Sequence, residues 1–191
     1  MLRPGVVGLL ILALLWLPAG AATAPRPSPE YAVKLTTGQQ LLLSSYRGKV
    51  VALLFISTDC PHCADTCQMM ERIQKEYGPR GLQTLAVAFN PMAIMLVPEF
   101  VQRTRVTFPV GYDERDPVLK YLGISPMLRL YVPIIVFVDR KGMIRGQHLG
   151  DDNFFAAQEK NIRSTLETLL KEPVAAPARG AVKKGSGAGS K

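Results

Sequence analysis

Phe55-Ile-Ser-Thr-Asp-Cys-Pro-His-Cys-Ala64 stands between two stretches of different period. Before it runs Val50-Val-Ala-Leu-Leu-Phe-Ile56, continuously apolar, which suits a strand buried on both faces. After it Met69, Met70, Ile73 and Tyr77 recur at helical spacing. Cys60 therefore falls where a buried strand ends and a helix begins. The first turn of a helix carries unpaired N–H groups and a partial positive charge. Both favour a thiolate, the nucleophilic form of cysteine. Pro61 takes the first helical position, where its missing N–H costs little. Cys63 lies one turn on, on the same face and within disulfide reach. The pattern reads as a redox dithiol; an inert buried pair is the plainer alternative.

Working outward, 82–89 is a second buried strand, so strand, helix and strand over about 40 residues make a βαβ crossover. Residues 32–35 and 40–43 flank Thr-Thr-Gly-Gln and predict a hairpin with Gly38 in its turn. A loop follows over 44–49. Pro91 and Pro98 punctuate the stretch after the second strand, which reads as a loop and then a helix over 97–105. Met92, Ile94, Met95 and Leu96 are expected to be core, with a short helix packed beside the active site as the alternative. A short extended segment over 108–112 precedes a helix with Asp116 as N-cap, Pro117 at its first position and Gly123 past its end. Residues 133–139 and 143–148 form an antiparallel hairpin around Arg140-Lys-Gly142. A last helix is capped by 151–153, and Phe155, Ile162, Leu166, Leu169 and Leu170 form its apolar face. The class is α/β, a central mixed sheet flanked by helices with an N-terminal β-hairpin extension.

The termini differ in kind from this core. A short basic start, an apolar run of roughly 13 residues and small residues up to Ala24 describe a secretory signal. The expected organisation is a signal peptide over 1–21, a proline-rich spacer over 22–30, the folded domain over 31–172 and a tail over 173–191. The tail, made of small residues, proline and lysine, lacks the apolar surface to order itself. The folded part faces an export compartment, periplasmic or otherwise extracytoplasmic; an uncleaved leader would leave it anchored to a membrane. The formal charge is +8, yet Arg3 lies in the leader, and Arg179, Lys183, Lys184 and Lys191 lie in the tail. No basic stripe with interleaved aromatics remains in the domain, which argues against nucleic acid as a partner.

The three cysteines, Cys60, Cys63 and Cys67, are clustered. A disulfide scaffold would spread them, and a structural zinc site would need a second pair. The cluster is catalytic, or it binds a metal through another geometry. Cys67, one turn past Cys63, makes a poor disulfide partner for it because their Cβ vectors run parallel. A small buried residue, a third redox thiol and a metal ligand all remain open for it.

C-x-x-C beside a βαβ pattern has the form of a thioredoxin-like redox motif. From Leu35 to Cys63 the chain resembles the opening of exported thioredoxin-fold thiol–disulfide oxidoreductases of the TlpA/ResA type. Phe108-Pro-Val and Val132-Pro133-Ile-Ile-Val-Phe-Val-Asp-Arg-Lys-Gly142 resemble the same family. The resemblance implies that Cys60 attacks, that Cys63 resolves the mixed disulfide, and that the two form the redox-active disulfide. It implies a cis Pro133 facing the dithiol, with the backbone of Val132 left free to pair with an extended substrate chain. Pro61 and His62 complete the site, and a charged His62 would favour the Cys60 thiolate. Protein thiols and disulfides are the implied substrates, with an upstream redox partner and no cofactor. Reduction is the implied direction, although Pro61-His62 and Val132 also resemble the oxidant DsbA.

Two departures stand out. Asp59 occupies the place of the tryptophan usual before the first cysteine, and its carboxylate would oppose ionisation of Cys60. Leu54 occupies the place of a buried acid that accepts protons. Two further readings share the fold. Cys63 and Cys67 have the spacing of Sco-type copper chaperones, and thiolates suit Cu(I); that family's histidine near the third strand is missing from 131–133, and His148 lies a strand later. A peroxiredoxin-like peroxidase would carry a proline and a threonine that 53–59 lacks.

Overall fold

The computed structural model describes residues 24–173. The leader over 1–21 and nearly all of the tail expected over 173–191 lie outside the described residues. Among the described residues no helix is long and apolar enough to cross a membrane.

The sheet is built on β4 (Val50–Ile56), every residue of which is buried. It pairs in parallel with β5 (Leu82–Ala88) and antiparallel with β7 (Ile134–Val138). β8 (Met143–His148) returns beside β7, with an irregularity between Phe137 and Val138. On the other side β6 (Val110–Tyr112) continues the sheet in parallel with β5. The hairpin of β2 (Ala32–Lys34) and β3 (Gln40–Leu42), with Gly38 at a φ of +87°, joins the edge of β6. Asp113 fastens it there by accepting from Tyr31 Oη at 2.8 Å and Lys34 Nζ at 2.7 Å.

Strand alternation divides the core. Val50, Ala52, Leu54 and Ile56 pack on one face with α1 (Pro61–Tyr77), α2 (Ala93–Thr104) and α4 (Gln158–Lys171). Val51, Leu53 and Phe55 pack on the other with Tyr31 and α3 (Arg115–Leu122). A strand apolar on both sides can only sit between two such layers.

Four details differ from the sequence reading. First, the spacer is not free of the domain. Arg26–Pro27 forms edge strand β1 on β8, and Arg26 donates to the carbonyls of Tyr121 and Leu122 and to Gln147. An edge position tolerates Pro27, which has no N–H to give.

Second, Met92, Ile94, Met95 and Leu96 are not core: they are 63%, 48%, 68% and 37% exposed. Helix α2 begins four residues earlier than expected, and Ala93, Val97, Phe100 and Thr104 supply its buried face. Their spacing turns the neighbouring side chains outward. Third, Pro98 lies inside α2, forgoing the bond to the Ile94 carbonyl.

Fourth, α3 starts at Arg115, with Glu114 rather than Asp116 at the N-cap and no side-chain cap. Pro117 still falls among the first four residues, whose N–H groups have no helical partner.

Candidate active site

Residues 57–59 carry the chain from β4 into α1, and Cys60 is the N-cap of that helix. Its backbone is extended, with φ −89° and ψ 115°, and its Sγ accepts the Cys63 N–H at 3.3 Å. Pro61 and His62 are exposed on the first turn, whereas Cys63 and Cys67 are fully buried among the apolar residues under α1. All three cysteines are free thiols. The dithiol thus has an accessible member and a covered one, and Cys67 lies deeper along the same helix.

Burial pushes the Cys63 thiol well up, with the Ser57 backbone N–H acting against burial and Cys60 adding to it. Burial pushes Cys67 up to about 12, with a smaller contribution from Cys60. Both are therefore neutral thiols at ordinary pH. Leu54, at the position where an acid was sought, is fully buried and apolar. The Asp59 carboxylate accepts a hydrogen bond from Ser57 Oγ, which turns it back onto its own loop.

Two clefts flank the cysteine loop. One, of about 400 Å³, is lined by Asp59, Cys60, Pro61, Gln68 and Arg103. The other, of about 320 Å³, is lined by Ser57, Phe89, Asn90, Leu130 and Val132. The Val132–Pro133 peptide is cis, as expected, and the shared cleft puts Val132 beside the loop that leads to Cys60. The first turn of α1 is braced from behind: Thr66 Oγ1 donates to the His62 carbonyl at 2.7 Å and accepts from Gln158 Nε2 at 2.7 Å.

Sequence reading did not single out Thr58, Asn90 or Arg103. Thr58 is buried, its N–H and hydroxyl are bonded to the Asn90 amide, and its carbonyl is bonded to Arg103. Only the preference of Asn90-Pro91 for a turn marked any of these in the sequence.

A copper site at Cys63 and Cys67 gains nothing from His148. Its Nδ1 lies 2.8 Å from Asp152 Oδ2, and its ring stacks on Phe154 at 3.8 Å. Among the described residues no group of three or more His, Cys, Asp or Glu side chains is placed to hold a metal ion.

Comparison with known proteins bears on the family and the fold. The model of the AhpC/TSA family matches residues 25–147. Thiol-disulfide oxidoreductase ResA of Geobacillus thermodenitrificans is 27% identical over 139 residues, 73% of this chain and 76% of that protein. Thioredoxin-like protein YneN of Bacillus subtilis is 30% identical over 125 residues, 64% of this chain and 69% of that protein. A solved thiol:disulfide interchange protein of the thioredoxin family from Chlorobium tepidum superposes with a TM-score of 0.64 at 20% identity, over 78% of this chain and 99% of that one. The fold is thioredoxin-like.

Proposed function

The chain belongs to the AhpC/TSA family and is a thiol–disulfide oxidoreductase, and from that premise we propose that it acts on protein disulfides through Cys60 and Cys63, outside the cytoplasm. The observation that carries the proposal is the pairing of a partly exposed Cys60 at the helix N-cap with a buried Cys63 whose N–H reaches Cys60 Sγ at 3.3 Å.

In the reducing direction the Cys60 thiolate attacks a substrate disulfide. One substrate sulfur leaves as a thiolate and takes up a proton from solvent, and the other is held in a mixed disulfide with Cys60. Cys63 then loses its proton and attacks Cys60 Sγ. The Cys60–Cys63 bond forms as the bond to the substrate breaks, and the second substrate sulfur leaves and takes up a proton. The substrate disulfide gains two electrons and the dithiol loses two, so an upstream dithiol must reduce the protein again. The oxidising direction is the same sequence reversed.

Cys60 Sγ sits at the start of α1, where the N–H of Cys63 donates to it at 3.3 Å. Pro61 fixes the first helical residue, and His62, exposed beside it, adds positive charge when protonated. Val132 offers its backbone to an extended substrate chain, and Pro133, having no N–H, leaves that edge open. Export rests on the leader over 1–21, which anchors the domain to a membrane wherever it stays uncleaved.

The reduction potential of the Cys60/Cys63 pair against glutathione tests the function and fixes its direction. A value near about −270 mV marks a reductant and one near about −120 mV an oxidant. A protein in which this pair forms no disulfide under air or oxidised glutathione is not a dithiol oxidoreductase.

A further inference from the structure

The cysteine loop is gripped at one residue. Thr58 N–H donates to Asn90 Oδ1 at 3.0 Å, Asn90 Nδ2 donates back to Thr58 Oγ1 at 2.9 Å, and Arg103 Nη2 donates to the Thr58 carbonyl at 2.7 Å. The N–H, the hydroxyl and the carbonyl of Thr58 are thus all engaged from outside the loop. One grip comes from the end of β5 and the other from α2. The loop is otherwise closed on itself, by the Cys60 N–H on the Ser57 carbonyl at 3.3 Å and by Ser57 Oγ on Asp59.

We propose that Asn90 and Arg103 are positioning residues for thiol–disulfide exchange: by gripping Thr58 they hold the Ser57–Cys60 turn in the one arrangement that serves both sulfurs. The turn delivers Cys60 to the helix N-cap through the Ser57 carbonyl. The same first turn brings the Cys63 N–H to 3.3 Å from Cys60 Sγ, so the placement of Cys60 also fixes where its sulfur lies relative to Cys63. A turn free to rotate about Thr58 would misplace the attacking sulfur relative to the resolving one. Arg103 makes its grip through a single charge-assisted hydrogen bond, Nη2 to the Thr58 carbonyl.

The inference rests on Cys60 and Cys63 being the working dithiol. The test measures how fast Cys63 resolves a preformed mixed disulfide between Cys60 and a chromogenic thiol in the full chain, with thermal unfolding followed in parallel. Arg103→Met keeps the stem of a half-exposed helix residue and is the safer variant for folding; Asn90→Leu is the second.

Arg103→Met, which loses one hydrogen bond to Thr58, is expected to slow resolution about three- to tenfold, and Asn90→Leu, which loses two, at least as much. Arg103→Lys, which can still donate to the Thr58 carbonyl, should recover to within about twofold of the parent rate. Because both grips act through Thr58, the double variant should fall short of the product of the two single effects. Parent-like rates in Arg103→Met, or equal losses in Arg103→Met and Arg103→Lys, would overturn the proposal. A parent protein whose Cys60 forms no mixed disulfide would overturn the dithiol reading instead, so the two failures are distinguishable.

Discussion

Cys60 Sγ accepts the backbone N–H of Cys63 at 3.3 Å, so the sulfur proposed to attack is supported by the main chain of the residue proposed to resolve it. Cys63→Ser keeps that N–H and removes only the resolving sulfur. The variant should still attack a substrate disulfide but stall with the substrate attached. Non-reducing electrophoresis and intact mass are expected to show a mixed disulfide at Cys60 in Cys63→Ser and none in Cys60→Ser. Equal adduct on both variants would move the attacking role away from Cys60.

Alkaline stability should report the two buried thiols. Burial raises Cys63 well above its ordinary value, and Cys67 from 9.0 to about 12. Groups raised in this way contribute stability that is fully present below the unfolded value and is lost as pH climbs toward the folded one. For Cys67 the window runs from pH 9 upward to about 12. Each such thiol costs about 1.4 kcal/mol per pH unit across its window. In the reduced protein, Cys67→Ala should therefore flatten the fall of unfolding free energy between about pH 9 and 11 by one proton's worth. Urea unfolding at steps of pH measures it. Parallel slopes in parent and variant would show that Cys67 titrates normally in the folded chain.

Glu71 gives the opposite sign at acid pH. Its buried carboxylate on α1 accepts from Thr107 N at 2.7 Å and Thr107 Oγ1 at 2.8 Å, and Lys75 lies 3.2 Å away. Burial alone would raise its pKa, but Thr107 and Lys75 outweigh burial and hold it below the usual carboxylate value of 4.5. The resulting stability is present above 4.5 and is lost as pH falls through the lower folded value. Glu71→Gln should cost about 2 kcal/mol at neutral pH. It should also remove one proton's share of the acid sensitivity below about pH 4.5. Unfolding by urea at pH 7 and pH 3 checks both; a difference between parent and variant that is the same at the two values would rule out the linkage.

What could be read from the sequence was what repeats locally. β4 betrayed itself as an unbroken apolar run, α1 by helical spacing and a proline behind Cys60, and the hairpin of β7 and β8 by Arg140-Lys-Gly142. The Met92–Leu96 group deceived because composition alone implies burial. Its exposure follows from which neighbours, Ala93 and Val97, take the inner face of α2. The grip on Thr58 was out of reach for a different reason. Asn90 and Arg103 lie 32 and 45 residues from Thr58 in sequence, and no local period links them. They meet only because β5 runs parallel to β4 and α2 packs against α1.

Gly150 carries the prediction that bears most directly on substrate size. Its N–H donates to the Tyr131 carbonyl at 2.9 Å. A Cβ at this position would stand 2.7 Å from the carbonyl carbon and oxygen of Tyr131 and 2.9 Å from that of Val132. These are backbone atoms and cannot swing aside as a side-chain tip could, so Gly150→Ala must push the 131–132 segment away from its place beside Ser57. Cys60 and α1 do not depend on that segment for their hydrogen bonds. Exchange with a small disulfide such as oxidised glutathione should therefore stay within about twofold of the parent rate, the displacement being remote from the reacting sulfur. Reduction of a polypeptide disulfide such as insulin, for which the Val132 backbone is the proposed docking edge, should fall about tenfold, since misplacement by about 1 Å can cost up to a hundredfold. If the two substrates lose rate equally, Val132 is not the edge on which polypeptide substrates dock.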